Sequence, residues 1–322
     1  MSLRVAILGA SGFGRHHASW YTCLGCEVVA FLGSTSESVA ATQDTLASCC
    51  GFAGRGYTDL DALLATEAPD AASICTPWPL HGPQARACLE AGCSVLCEKP
   101  FVWRPNATTA ELVAEAFELT ALAERQGVVL SVNTQYTAAA EAYARFLPEA
   151  CDTRDSFTGV MTSKLKPAGP RGRDIWLDLA PHSLSILLTL MPEGTLVPGS
   201  VAGHMGSEAT DAAFTLQDGV TSCRCTIRVA KLAQAPFERR FGFGDHVVDC
   251  GSAPDAGGTF HGFLRLGNRE QTCDDFMKTS IQRFCAAAQG DGPPLTTATA
   301  AARNQGVLLS LLDAIEGQAT HN

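Results

Sequence analysis

What most constrains this chain is a regular exchange of short apolar runs and helix-length segments across its first 133 residues. Arg4-Val-Ala-Ile-Leu-Gly9 is β-branched and stops at a glycine. Gly9-Ala-Ser-Gly-Phe-Gly14 then leads into a stretch able to form a helix over 15–24. Further apolar runs lie at 27–32, 71–75, 94–97 and 128–132. Between them the pattern predicts helices over 57–65, capped by Thr58 or Asp59, over 84–91, stopped by Gly92, and over 108–126, stopped by Gly127. Runs that are apolar on both faces and separated by helices build a parallel sheet. The fold class expected is therefore α/β.

The chain has 322 residues, enough for roughly two domains of about 150 residues each. The texture changes after Asn133, which sets the expected boundary: 1–133, then 134–322. In the second part, Pro181 at a tolerated first-turn position predicts a helix over 181–190. Residues 200–266 alternate and are rich in turns, which reads as an open, mostly antiparallel sheet. Helices are expected over 274–289 and 298–315.

Composition narrows the function classes. A formal net charge of −10 argues against a nucleic-acid partner, which would need a basic stripe. No apolar run approaches the ~20 residues needed to cross a bilayer, and the N-terminal run is too short for an export signal. A cytoplasmic location is expected. The 14 cysteines sit mostly in apolar runs and read as buried thiols. Cys23-Leu-Gly-Cys26 lacks the second pair that a zinc site needs, so no metal is expected.

Three groups of residues can carry chemistry. The glycine turn offers Gly9 and Gly14 at the spacing of a pyrophosphate loop, with Ser11, Gly12 and Phe13 between them. Such a turn exposes N–H groups at the positive end of a helix. Ser11 stands where the usual fingerprint has its middle glycine. After the second strand the usual ribose-binding acid is absent, and Ser34 and Thr35 stand near its place. Hydroxyls can accept a 2′-phosphate that an acid would repel, so the lean is towards NADP over NAD.

The second group is Glu98-Lys99-Pro100 at the end of a strand, where lysine can donate to a substrate oxygen and Glu98 can orient it. A surface ion pair has the same sequence appearance. The third is Asp178-Leu-Ala-Pro-His182. Histidine suits proton transfer near neutral pH, and a carboxylate four residues earlier can hold its ring. Lys164, Lys166, Arg171 and Arg173 precede Trp176. On an acidic chain this cluster could steer an anionic substrate, and Trp176 could stack on a sugar ring.

In this order the motifs resemble those of the Gfo/Idh/MocA family, the relatives of glucose–fructose oxidoreductase and inositol dehydrogenase. The carrying residues are Val5-Ala-Ile-Leu-Gly9 with Gly14, Ile74-Cys-Thr-Pro77, His81 and Ala91-Gly-Cys-Ser-Val-Leu-Cys-Glu-Lys-Pro100, joined by Asp178 and His182. The resemblance implies a Rossmann domain followed by an α/β domain with an open antiparallel sheet, the last helix packing back on the first domain. It implies a nicotinamide-dependent oxidoreductase acting on a sugar or cyclitol derivative. Lys99, Asp178 and His182 would form the catalytic set, with Lys99 and His182 at the substrate; Arg173 and Trp176 are added as substrate residues by the basic cluster alone. Thr76, Pro77, His81 and Glu98 would line the cofactor cleft. A homodimer or homotetramer is implied too. Relatives often carry an Asp where this chain has Ser185, so a non-catalytic dinucleotide sensor or assembly protein is the alternative.

Overall fold

The computed structural model of the chain describes residues 2–254 and 260–319. Two compact units divide it: 1–133 with 277–302, and 134–276 with 303–322.

The first unit runs β1 (Arg4–Leu8), α1 (Gly14–Cys23), β2 (Glu27–Leu32), α2 (Ser36–Cys50), β3 (Arg55–Tyr57), α3 (Leu60–Glu67), β4 (Ala71–Ile74), α4 (His81–Glu90), β5 (Ser94–Glu98), α5 (Thr109–Gln126) and β6 (Leu130–Asn133). All six strands are parallel, in the order β3-β2-β1-β4-β5-β6. The winding therefore reverses between β1 and β4. In an open sheet of this kind, ligands bind outside the carboxyl ends of the strands at that reversal. Val5, Ile7 and Leu8 of β1 and all four residues of β4 are buried, as a strand covered on both faces must be.

Local chemistry sets the helix ends. Thr35 and Ser38 cap α2 reciprocally, Asp59 caps α3, and Thr108 with Glu111 forms a capping box on α5. Gly127 ends α5 at φ +66°, the left-handed conformation that glycine adopts without penalty. Met277, Ile281 and Phe284, from late in the chain, pack in one core with Val5, Ile7 and Phe31.

The second unit contains α6 (Thr137–Phe146), β7 (Ser156–Lys164), α7 (Arg173–Leu190), β8 (Thr195–Leu196), β9 (Ala202–Met205), β10 (Ala209–Asp218), β11 (Thr221–Leu232), β12 (Arg239–Phe243), β13 (Val248–Pro254), β14 (Phe260–Leu266) and β15 (Arg269–Asp274). Its nine-stranded sheet runs β15-β14-β13-β12-β7-β11-β10-β8, with β9 on β10. Only β7 and β11 pair in parallel, so the sheet is mixed and mostly antiparallel. Two helices follow, α8 (Phe276–Ala288) and α9 (Ala298–Ala319). From Arg303 onward α9 belongs to the second unit, where Trp176 Nε1 donates to Leu308 O at 3.0 Å. No described helix is long and apolar enough to cross a membrane.

One element departs from expectation in a way that matters for the site. The helix expected over 181–190 starts eight residues earlier, and Pro181 lies inside it. An interior proline removes one hydrogen bond and costs about 3 kcal/mol. The burial of Ile175, Trp176, Leu177, Leu179 and Ala180 ahead of the proline offsets that cost. Asn304 Nδ2 donates to Pro181 O at 3.1 Å. Asp178 and His182 consequently sit one helical turn apart on the same side of α7.

Candidate functional site

The glycine turn is a packing requirement at both ends. Gly9 has φ +87°, and a Cβ there would lie 2.8 Å from the carbonyl carbon and oxygen of Cys75. A Cβ on Gly14 would lie 2.6 Å from Gly9 O. The turn is thus pressed onto the exits of β1 and β4. Between these fixed ends Ser11, Gly12 and Phe13 are exposed, and a Cβ on Gly12 would meet nothing within 4 Å. Serine in place of the middle glycine is exposed on the turn. The turn leaves accessible backbone at the amino end of α1, a cradle suited to a pyrophosphate.

Past β2, Ser34 is exposed, while Thr35 Oγ1 accepts from Ser38 N at 3.1 Å as the cap of α2. The first acid after β2 is the exposed Glu37, in the first turn of α2. Thr76, at the exit of β4, donates through Oγ1 to Gln84 Oε1 at 2.6 Å, and Pro77 is exposed. His81 corrects the expectation that it lines the cleft. It is fully buried in the first turn of α4, with Nδ1 2.8 Å from Pro100 O and Nε2 2.9 Å from Thr76 O. Burial lowers its pKa against the pull of the two carbonyls. Its ring ties the β4 exit to the Glu98-Lys99-Pro100 turn rather than facing a ligand.

Lys99 is half-buried just beyond β5. Beside it, Glu98 Oε1 is 3.0 Å from His17 Nε2 and accepts from Asn133 Nδ2 at 2.6 Å. Asn133 has to present its amide nitrogen here, because its oxygen would face a carboxylate. His17 is wholly buried, and Nδ1 lies 2.7 Å from Ser73 Oγ. Burial works against both charges. Cys75 and Glu98 nevertheless raise His17 to about 10, and His17, Lys99 and Asn133 hold Glu98 below the usual carboxylate value. The pair is an imidazolium and a carboxylate. Sequence reasoning missed His17; its one signal was a histidine three residues beyond Gly14.

In the second unit, Asp178 Oδ2 lies 2.5 Å from Lys231 Nζ, which also donates to Ser163 Oγ at 2.9 Å. Lys231 is 8% exposed, so this is a nearly buried ion pair. Lys231 closes β11, 53 residues after Asp178, and sequence reasoning missed it too. His182 packs edge-on against Tyr136, ring centroids 5.0 Å apart.

Trp176 corrects the stacking expectation. It is fully buried and its indole N–H is spent on Leu308, so it anchors α7 and cannot meet a sugar ring. The basic cluster is also partly structural. Arg171 donates to the carbonyls of Gly169, Pro170 and Lys166, whereas Arg173 is exposed and pairs with Glu316 at 3.5 Å.

Residues 3–134 match the family described as "Oxidoreductase family, NAD-binding Rossmann fold", Gfo/Idh/MocA. D-apiose dehydrogenase of Paraburkholderia graminis is 31% identical over 145 residues, 44% of this chain and 35% of that one. UDP-N-acetylglucosamine 3-dehydrogenase of Acidithiobacillus ferrooxidans is 26% identical over 71% of this chain and 68% of its own. The match spans about a third of the length of D-apiose dehydrogenase and of two other relatives, a D-glucoside 3-dehydrogenase and an inositol 2-dehydrogenase. A solved structure of the Acidithiobacillus enzyme superposes with TM-score 0.75 at 23% identity, covering 98% of this chain and 99% of the other. Scyllo-inositol dehydrogenase of Lactobacillus casei, solved with NAD(H) and scyllo-inositol, gives TM-score 0.75 at 13% identity over 99% and 98%. These likenesses extend the shared fold over nearly the whole chain. Through residues 3–134, the chain is similar to the Gfo/Idh/MocA oxidoreductase family.

Proposed function

We propose that the protein is a nicotinamide-dependent dehydrogenase that moves a hydride between NAD(P) and a hydroxyl-bearing carbon of a sugar or cyclitol. The observation that carries this reading is Lys99 at the carboxyl end of β5, on the same sheet edge as the glycine turn. The coenzyme, when bound, supplies the hydride acceptor or donor. The chain must hold it and manage one proton. Exposed backbone at Ser11, Gly12 and Phe13 receives the pyrophosphate, and Ser34 and Thr35 lie at the adenosine ribose. Their hydroxyls favour NADP, and the exposed Glu37 opposes it. Lys99 donates a hydrogen bond to the reacting oxygen, and His182 takes the hydroxyl proton. Asp178, already held by Lys231, accepts from a neighbouring hydroxyl.

The non-catalytic sensor stands as a second reading because of Ser185. It is nearly buried, and its hydroxyl donates to His182 O at 2.8 Å, so no acid is offered to substrate there. One experiment separates the two. Fluorescence titration with NADPH and NADH measures binding, NADPH expected tighter. An absorbance screen with UDP-N-acetylglucosamine, myo-inositol and D-glucose then measures turnover. Positioned proton transfer is worth about 10²–10⁴-fold, so Lys99→Met should lower turnover at least ~100-fold and leave coenzyme affinity within about twofold. Turnover near wild type in that variant refutes the assignment; binding with no turnover on any substrate supports the sensor.

A further inference from the structure

The buried network around His17 has no part in the chemistry above, yet it joins the glycine turn and its helix to the ends of β4, β5 and β6. His17 lies in the first turn of α1, the helix launched by the glycine turn. One ring nitrogen meets Ser73 of β4, and the other meets Glu98 at the end of β5. The same Glu98 oxygen is shared with Asn133 at the end of β6. Phe13, in the turn itself, packs edge-on against the imidazole, ring centroids 5.6 Å apart. The titratable groups around the ring are Cys75 beyond β4, Glu98 on β5 and, along α1, His16, while Lys99 acts on Glu98.

Glu98 directly precedes Lys99. A buried carboxylate needs a counter-charge. With His17 in place, Glu98 is already neutralised. Without it, the cation left acting on Glu98 is the neighbouring ammonium of Lys99. An ammonium drawn onto its own neighbour holds its protons more tightly and moves off the reacting oxygen.

We propose that His17 is a positioning residue: by occupying Glu98 it couples the seating of the glycine turn to the placement of Lys99. This rests on the reading of Lys99 as the group at the reacting oxygen.

The test observes Lys99 directly. Lysines are reductively methylated with ¹³C-formaldehyde in the wild type, His17→Gln, Ser73→Ala and the double variant His17→Gln/Glu98→Gln, and Lys99→Arg identifies the Lys99 resonance. Lys99 should titrate at higher pH in H17Q than in the wild type and return in the double variant. S73A removes the hydroxyl at Nδ1, which also acts on Tyr21, and should move it the same way, by less. With the best substrate from the screen, kcat of H17Q should fall roughly 10–100-fold while KM stays within about twofold, as expected for sub-ångström misplacement of a reacting group. An unmoved titration in both H17Q and S73A overturns the proposal, as does wild-type kcat in folded H17Q. A wild-type protein that binds NADPH and turns nothing over defeats the catalytic reading alone; the titration still decides the coupling.

Discussion

The two units place their functional charges by opposite means. In the first, strand ends and turns do the placing. Gly9 and Gly14 are forced by backbone contacts of 2.8 and 2.6 Å, and the site residues follow within a few positions of β1, β2, β4 and β5. In the second, α7 and β11 bring Asp178 to Lys231 through a side-chain ion pair across the unit. The glycine rim fails when a backbone is moved, the Asp178–Lys231 pair when a charge is removed. That difference predicts different kinds of damage.

Lys231→Met is the largest. It takes the ammonium of Lys231 away from a mostly buried carboxylate, and removal of one member of a buried pair typically costs 3–5 kcal/mol. Because both side chains retain some exposure, a loss of about 3 kcal/mol is expected in urea denaturation. Lys231→Met/Asp178→Leu should recover part of it. A loss below about 1 kcal/mol in the single variant would mean that water, not Lys231, supports Asp178.

Next come the glycines. Gly14→Ala pushes a methyl into Gly9 O, and overpacking costs about 1–3 kcal/mol. If that strain falls on the turn, NADPH affinity drops roughly 10–100-fold. Gly12→Ala meets no protein atom within 4 Å and should unfold within about 0.5 kcal/mol of wild type. Equal effects at 12 and 14 would break the contrast between a fixed rim and an open centre.

The same contrast explains what the sequence made legible. The glycine turn, Thr76-Pro77 and Glu98-Lys99-Pro100 are local, because a turn is written in consecutive residues. So were the caps at Asp59 and Thr108. His17 and Lys231 carried no such signal. Their partners lie 81 and 53 residues away, and only the packing of a helix on its sheet brings them together. Pro181 misled for the opposite reason: a local rule placed it at a helix start, and burial along α7 overrode the rule. Trp176 and His81 show the limit of residue type. Each suits a binding site, and each instead turns its polar atoms towards carbonyls inside the protein, the indole N–H of Trp176 and one ring N–H of His81 donating.

Stability against pH sharpens the first-unit half. His17 is raised in the fold, so its contribution is complete below about pH 6.5 and declines as pH rises towards about 10. Glu98 is lowered, so its contribution is present above the ordinary carboxylate value and is lost as pH falls through its folded value. The wild-type advantage over H17Q in urea should therefore be greatest near pH 5–6.5 and shrink towards pH 10. An advantage independent of pH across that range would mean a neutral ring.

The smallest effect belongs to Arg173, whose side chain is 48% exposed and whose partner Glu316 has a side chain 39% exposed. Such a pair contributes little to stability, so Arg173→Glu should unfold within about 1 kcal/mol of wild type. Any function it has is long-range. If the substrate carries phosphate or carboxylate, as a nucleotide-linked sugar does, a reversed charge slows encounter. kcat/KM should then fall a few-fold at low salt. At about 1 M salt the screening length shrinks to roughly 3 Å and the difference should vanish. With a neutral cyclitol the variant should match wild type at every salt concentration. A kcat/KM for UDP-N-acetylglucosamine that the reversal leaves untouched at low salt removes Arg173 from substrate recognition, leaving it as the exposed partner of Glu316.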